Sequence, residues 1–256
     1  MNSHINLVIA MPVYNESEKI ATTIAGLETA FSEMGITPTY VIQDDDSKDD
    51  SLEALRKVEQ HHSGRLLIEK NEGNRGHGPT VMRAYSRALS LGSDVVVHVD
   101  SDGEIDPRAV AHCGRQILEC DIEAVIGARS DRDSPLYRRA VTSLLRIAIL
   151  VFFGVRSLDV NSPVRAYRRG ALSKLVNFVP PDSVTPHVLM TVLTHKKLKN
   201  FAYVLAESSV SSSGDEDGST WRSSSRLFGI PTRFLKLVWR ACRELARFRI
   251  ALARQR

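Results

Sequence analysis

Residues 94–107 read Asp94-Val95-Val96-Val97-His98-Val99-Asp100-Ser101-Asp102-Gly103-Glu104-Ile105-Asp106-Pro107. Four valines within Asp94–Val99 predict a strand buried on both faces, of the kind found inside a parallel sheet. The run stops at Asp100-Ser101-Asp102, and Asp106-Pro107 makes a good helix start, with an acid as cap and proline in the first turn. One reading of the acids is a turn that caps the next helix. The other is a pair of carboxylates aimed at one divalent ion, because Asp-x-Asp just past a buried strand lets both side chains converge.

The flanking sequence repeats the alternation. Strands are expected at Ile5–Met11, Tyr40–Ile42, Leu66–Glu69, Asp94–Val99 and Ala124–Ala128. Helices are expected at Glu18–Gly35, Ser51–His61, Thr80–Leu91 and Pro107–Cys120. The β-α-β order predicts an α/β fold, a mostly parallel central sheet flanked by helices. Beyond it the pattern loosens. Arg129–Tyr137 reads as a polar loop, helices follow at Arg138–Phe153 and Pro186–His195, and Ser208–Ser225 reads as a loop rich in Ser, Gly and Asp. Val141–Val155 is apolar but contains Arg146 and falls short of the roughly 20 residues of a membrane span. It is expected as a buried core helix or an interfacial one. The N-terminus reads as an immediate strand, without the pattern of a signal peptide.

In an open parallel sheet ligands bind beyond the carboxyl ends of the strands. Three such ends are polar here: Pro12-Val13-Tyr14-Asn15-Glu16, Gln43-Asp44-Asp45-Asp46 and Asp100-Ser101-Asp102-Gly103-Glu104. So many acids repel one another unless a cation or hydrogen-bond donors are present. Oxygen ligands suit Mg²⁺ or Mn²⁺, which neutralise a diphosphate leaving group. Gly73-Asn74-Arg75-Gly76-His77-Gly78 is glycine-rich but has neither Walker-A spacing nor the dinucleotide fingerprint, which disfavours an NAD enzyme or a P-loop NTPase. Arg75 is the cation of that loop.

The chain has 256 residues, 43% hydrophobic and 25% charged, with a formal net charge of +4. These values exclude wholesale disorder and coiled coil and give no reason to expect nucleic acid as a partner. Three cysteines without metal spacing argue against a disulfide framework and for a reducing compartment. Residues 226–256 stand apart, with nine lysines and arginines against one acid, Glu244, while the rest holds 25 basic and 29 acidic residues. Within Thr232–Leu252 an apolar stripe (Phe234, Val238, Ala241, Leu245, Phe248, Leu252) opposes a basic face (Lys236, Arg240, Arg243, Arg247). An amphipathic helix of this kind suits an anionic membrane surface, packing on the domain with its charges solvated, or a partner helix. Residues 1–225 are therefore expected as one domain, followed by a basic amphipathic helix over 226–256.

In their order these signals resemble family 2 glycosyltransferases, which have the GT-A nucleotide-diphospho-sugar transferase fold, and within them the dolichol- or polyprenyl-phosphate mannose synthase branch. The resembling segments are Ile9–Glu16, Gln43–Asp49, Asn74–Gly78, Val99–Pro107, Val125–Arg129, Tyr137–Arg139 and Ser162–Arg169. The resemblance implies that Pro12, Tyr14 and Glu16 line a nucleoside pocket and that Gln43 and Asp45 contact base or ribose. It implies that Asp100 and Asp102 bridge metal and diphosphate, with Ser101 adjoining through its backbone. It puts Glu104 in the metal shell, and Arg129 and Arg138 near donor or acceptor phosphates. Asp46 stands where the family commonly has glycine. The family's acceptor loop, with an arginine before glycine, reads here Asp215-Glu216-Asp217-Gly218-Ser219-Thr220-Trp221-Arg222.

The implied reaction is inverting sugar transfer from a nucleoside-diphosphate sugar, GDP-mannose or a UDP-hexose. A hydroxyl acceptor usually needs a carboxylate base. The helix in which sugar-acceptor members carry acids reads Thr185-Pro186-His187-Val188-Leu189-Met190-Thr191 and has none. That favours a polyprenyl phosphate, which is already ionised; for a hydroxyl acceptor His187 or Asp159 remains as base. A soluble acceptor, a binding module without turnover and a nucleotidyltransferase are the alternatives. The protein is expected in the cytoplasm, docking peripherally on the membrane.

Overall fold

The computed structural model describes residues 5–62, 64–129, 136–207, 226–227 and 230–253; along 136–141, 226–227, 230–235 and 237–238 it describes the backbone alone. The first half alternates as its periodicity demands: β1 (Leu7–Val13), α1 (Ile20–Ser32), β2 (Thr39–Asp44), α2 (Ser51–Glu59), β3 (Leu66–Lys70), α3 (His77–Ser90), β4 (Val95–Val99), α4 (Pro107–Glu119) and β5 (Ala124–Arg129). Then come α5 (Leu136–Phe153), β6 (Val164–Arg168), α6 (Arg169–Val176), α7 (Pro186–Lys197), β7 (Phe201–Ala206), a hairpin of β8 (Arg226–Leu227) and β9 (Ile230–Pro231), and α8 (Thr232–Ala253).

The seven-stranded sheet runs β3-β2-β1-β4-β6-β5-β7. Neighbours pair in parallel except at β6, which is antiparallel to both β4 and β5. Expectation and structure part company here. β6, α6 and β7 were not anticipated, because Val164-Arg165-Ala166-Tyr167-Arg168 carries two arginines and does not read as a buried strand. Arg165 is nevertheless fully buried. Its guanidinium donates to the carbonyls of Ser162 and Val160 and to the Tyr167 hydroxyl, which satisfies the donors that burial would otherwise orphan.

Side chains alternate across β1. Val8 and Ala10 join a core with α3, α6 and α7, whereas Leu7, Ile9 and Met11 join one with α1 and α4. Two cores clamp the sheet from opposite faces and fix its strand ends in space. Asp106 caps α4 by accepting from the Arg108 amide at 2.8 Å, with Pro107 in the first turn, as the sequence predicts.

Full burial of Val141–Val155 does not hold. Ile149 and Phe153 are buried, but Leu144, Ile147, Leu150, Val151 and Phe152 are exposed. The helix has one packed face and one apolar face in solvent. On α8, Leu245 and Phe248 enter the same core as α5, and the Phe153 and Phe248 rings stand 6.1 Å apart. Among the described residues no helix is long and apolar enough to cross a membrane. The loop expected at Ser208–Ser225, with Asp217 and Arg222, lies outside the described residues, as do 130–135 of the loop expected at Arg129–Tyr137.

Candidate active site

The turns after β1, β2 and β4 lie side by side because those strands are neighbours. The first two are laced together. The Asn15 amide donates to Ser47 Oγ at 3.0 Å, the Lys48 amide to Asn15 Oδ1 at 2.8 Å, and the Glu16 amide to Ser51 Oγ at 2.7 Å. Asn15 and Asp46 take positive φ, 56° and 60°. Asn and Asp tolerate this left-handed region better than other side-chain-bearing residues. That is the physical reason an aspartate can stand at Asp46, where glycine is common. Asp46 also pairs with Lys48 and, at 3.0 Å, with Lys70.

Pro12 is buried in β1 beside Gln43, its register partner. Tyr14 is exposed and Glu16 half-buried. Asp45 is buried and organises the glycine loop, accepting from Asn71 Nδ2 at 2.7 Å and from the backbone amides of Arg75 and Gly76, each at 2.8 Å. Gln43, also buried, donates to Asn71 Oδ1 at 3.1 Å. The Arg75 side chain is exposed. In this structure Asp45 and the Gln43 amide nitrogen thus hold the loop, while Gln43 Oε1 is buried without a hydrogen-bond partner among the described residues.

The acids of the third turn lie close to those of the first. Burial, then Asp100 and Glu104, push the Asp102 carboxyl up to about 6. Burial, then Asp102 among its neighbours, pushes Glu16 up to about 7. Asp102 accepts from the Glu104 amide at 3.0 Å, Glu104 is exposed, and Ser101 is buried. Asp100 goes the other way: burial raises it, but His77 and His98 outweigh burial and hold it below the usual range. His98 Nε2 lies 3.2 Å and His77 Nε2 3.7 Å from Asp100 Oδ1.

These histidines form a cluster that the strand-end reading missed. His77 opens α3, His98 sits inside β4 and His187 lies in the first turn of α7. The His98 and His187 rings are 4.4 Å apart, and those of His77 and His187 5.8 Å. A glycine allows the approach: a Cβ on Gly78 would stand 2.1 Å from the Ser183 carbonyl oxygen. The sequence signal was the pair of histidines at helix starts, His77 in the glycine loop and His187 behind Pro186.

The donor set suits a divalent ion. One atom each from His77, Asp100 and His187 lie within 4.8 Å of one another. His187 is 3% exposed, and neither ring nitrogen has a hydrogen-bond partner. Burial, then His98 and Arg165, hold it neutral, well below the ordinary histidine value, which is the state a ligand imidazole requires. Two imidazoles and a carboxylate fit a transition metal such as Mn²⁺. Asp102 and Glu104 stand on the same turn as Asp100.

Arg129 reaches the site from the end of β5. Its Nε donates to Asp159 Oδ2 at 2.9 Å and its Nη2 to the Asn161 carbonyl at 3.1 Å. Burial opposes its charge, yet Asp159, Asp100 and Glu104 raise its pKa overall. Asp159 is buried and also accepts from the Asn161 amide. Arg138 lies on α5, and its side chain is outside the described residues.

The chain matches the model of glycosyl transferase family 2 over residues 8–176. It belongs to that family. As a member it is a glycosyltransferase. It is 23% identical over 237 residues to the undecaprenyl-phosphate 4-deoxy-4-formamido-L-arabinose transferase of Pseudomonas fluorescens, covering 90% of this chain and 67% of that one. The enzyme of the same name from Salmonella paratyphi B is 24% identical over 170 residues, covering 66% of this chain and 50% of that protein.

Solved structures share the GT-A fold at low identity. Glucosyl-3-phosphoglycerate synthase from Mycobacterium tuberculosis, in complex with uridine diphosphate, superposes with a TM-score of 0.63 at 17% identity, covering 96% of this chain and 80% of that one. A mannosyltransferase from Pyrobaculum calidifontis, in complex with GDP-Man and Mn²⁺, gives 0.55 at 18% identity over 80% of this chain and 57% of that one.

Proposed function

We propose that this glycosyltransferase moves a hexose from a nucleoside-diphosphate sugar, GDP-mannose or a UDP-hexose, to a polyprenyl phosphate, with inversion and with a divalent ion bound. The observation that carries the acceptor is the base inventory. Asp159 is occupied by Arg129, His187 is buried among the rings of His77, Tyr85 and His98, and α7 has no carboxylate. A phosphate oxygen needs no proton removed. The naming of the Pseudomonas and Salmonella relatives as undecaprenyl-phosphate transferases supports the same acceptor.

Pro12, Tyr14 and Glu16 line the nucleoside pocket with Gln43 and Asp45, whose buried network holds the glycine loop and Arg75 in place. Asp100 and Asp102, with Ser101 between them and Glu104 beyond, would hold the ion that bridges them to the diphosphate, and His77 and His187 are placed to join Asp100 in holding it. When bound, that ion supplies positive charge to the departing diphosphate. A phosphate oxygen of the acceptor attacks the anomeric carbon as its bond to the donor's diphosphate oxygen breaks. The electron pair leaves with the nucleoside diphosphate, and no proton changes hands. Arg129, fixed by Asp159, and Arg138 add charge beside the phosphates. The protein works in the cytoplasm at the membrane surface, held there by the basic helix α8, which begins at Thr232 after the β8–β9 hairpin rather than at residue 226.

The test is incubation with UDP- and GDP-sugars, Mg²⁺ or Mn²⁺ and short polyprenyl phosphates, with glycosyl-lipid detected by mass spectrometry. Expected is a metal-dependent lipid product with at least one donor, lost in Asp102→Ala. Turnover only on a soluble acceptor would overturn the acceptor. Donor binding without any product would leave a binding module. Unchanged turnover in Asp102→Ala would remove its role.

A further inference from the structure

We infer that the exposed apolar face of α5 inserts into an anionic lipid bilayer, with the basic outer face of α8 beside it, so that the membrane lies against the rim of the active site. The surface is built from two helices. On α5, Leu144, Ile147 and Val151 are 69%, 57% and 73% exposed and recur at helical spacing, opposite the buried Ile149 and Phe153. Aliphatic side chains this exposed and this contiguous mark a surface that something apolar covers.

The charge says what covers it. α5 contains no acid at all. Exposed Lys236, Arg240, Arg243 and Arg247 line the outer side of α8, where Arg243 also stacks on exposed Trp239 at 4.7 Å. The single acid of α8, Glu244, is turned inward, accepting from the amides of Val184 and Thr185 and from the Thr185 hydroxyl. An apolar ridge beside a basic stripe that has no acid partner among the described residues, with an indole, matches an anionic bilayer in both charge and polarity. A second copy of the chain would bring the same positive charge to the contact.

Both helices are tied to the site. Exposed Leu158 in the segment after α5 is held back on the helix by Arg146, which donates to its carbonyl, and the next residue is Asp159, the partner of Arg129. Glu244 anchors α8 to the two residues before α7, the helix that carries His187. The inference goes beyond the acceptor reading, on which it rests for the relevance of a bilayer at the rim.

The experiment is co-sedimentation of the full chain with vesicles of phosphatidylglycerol and phosphatidylcholine, at low and high salt, without donor or polyprenyl phosphate. Wild-type protein is expected to bind, with a part that survives high salt because salt screens charge and leaves apolar insertion intact. Ile147→Glu/Val151→Glu should cut the high-salt partition about tenfold or more, and Arg240→Gln/Arg243→Gln/Arg247→Gln should reduce the low-salt part. A solvatochromic label on Val151→Cys, in a Cys120→Ser/Cys242→Ser background, should shift to the blue on adding vesicles, which keeps the test open if the double glutamate variant does not fold. Wild-type protein that stays in the supernatant, a double variant that binds like wild type, or a label that does not shift overturns the inference. So does a wild-type dimer that the double variant dissolves, which assigns the face to a second copy. Vesicle binding without glycosyl-lipid leaves this inference standing and sinks the acceptor reading; glycosylation in detergent by a protein that ignores vesicles does the reverse.

Discussion

Glu16 carries the charge problem of the strand ends in one side chain. Its carboxyl is pushed from the ordinary 4.5 up to about 7, by burial first and then by neighbouring acids led by Asp102. Between those values the folded chain holds a proton that the unfolded chain has released, so stability falls as pH rises from about 4.5 to about 7. In metal-free protein the thermal midpoint should therefore drop across that window, and Glu16→Gln should flatten the slope. An unchanged slope in the variant would show that Glu16 is not the group. Asp45 gives a second expectation at this scale. Asp45→Ala leaves the Asn71 amide and the Arg75 and Gly76 backbone donors without their acceptor, at a cost of about 3 kcal/mol. Denaturant unfolding reads the loss, and donor binding should weaken with it as the glycine loop loosens.

At the scale of elements, α3 and α7 meet because Gly78 has no side chain. A methyl there would stand 2.1 Å from the Ser183 carbonyl oxygen, a backbone atom that cannot swing away. Gly78→Ala should destabilise the fold by about 3 kcal/mol. It should also weaken Mn²⁺ binding, measured by calorimetry, because it separates the helix starts that bear His77 and His187; wild-type Mn²⁺ affinity in a destabilised variant would remove the histidines from the metal site. How much was legible follows from the same elements. β1, β2 and β4 could be read because apolar runs ending in polar turns are local signals, and their neighbourhood follows from the parallel α/β rule. β6 could not, because its buried Arg165 is satisfied by carbonyls that only the folded chain brings to it. The histidine cluster could not either. His77, His98 and His187 lie on three separate elements and converge through the place of β4 in the sheet and the contact of α3 with the start of α7 at Gly78. The double use of Gln43 and Asp45, which hold a loop as well as standing at a strand end, is likewise a matter of partners in space.

For the molecule as a whole, the net charge of +4 averages an acid-rich α/β body and a basic C-terminal segment, and packing joins what charge separates. α8 presents its basic face outward but puts Leu245 and Phe248 into the core that also holds Tyr85, Leu189 and Phe153. Its inward carboxylate, Glu244, fastens the entrance to α7. The helix is thus a structural neighbour of the site as well as a charged surface, and the two roles come apart by mutation. Phe248→Ala removes a buried ring that packs 6.1 Å from Phe153 and should cost about 3 kcal/mol, lowering the thermal midpoint with or without lipid. Arg240→Gln/Arg243→Gln/Arg247→Gln changes exposed side chains and should leave the midpoint in buffer nearly unmoved, while reducing the stabilisation that anionic vesicles confer on the wild type at low salt. Thermal unfolding of both variants with and without phosphatidylglycerol vesicles separates them. A triple variant that unfolds as early as Phe248→Ala in plain buffer would mean that the basic face is part of the packing, and that its charge serves the fold before it serves a membrane.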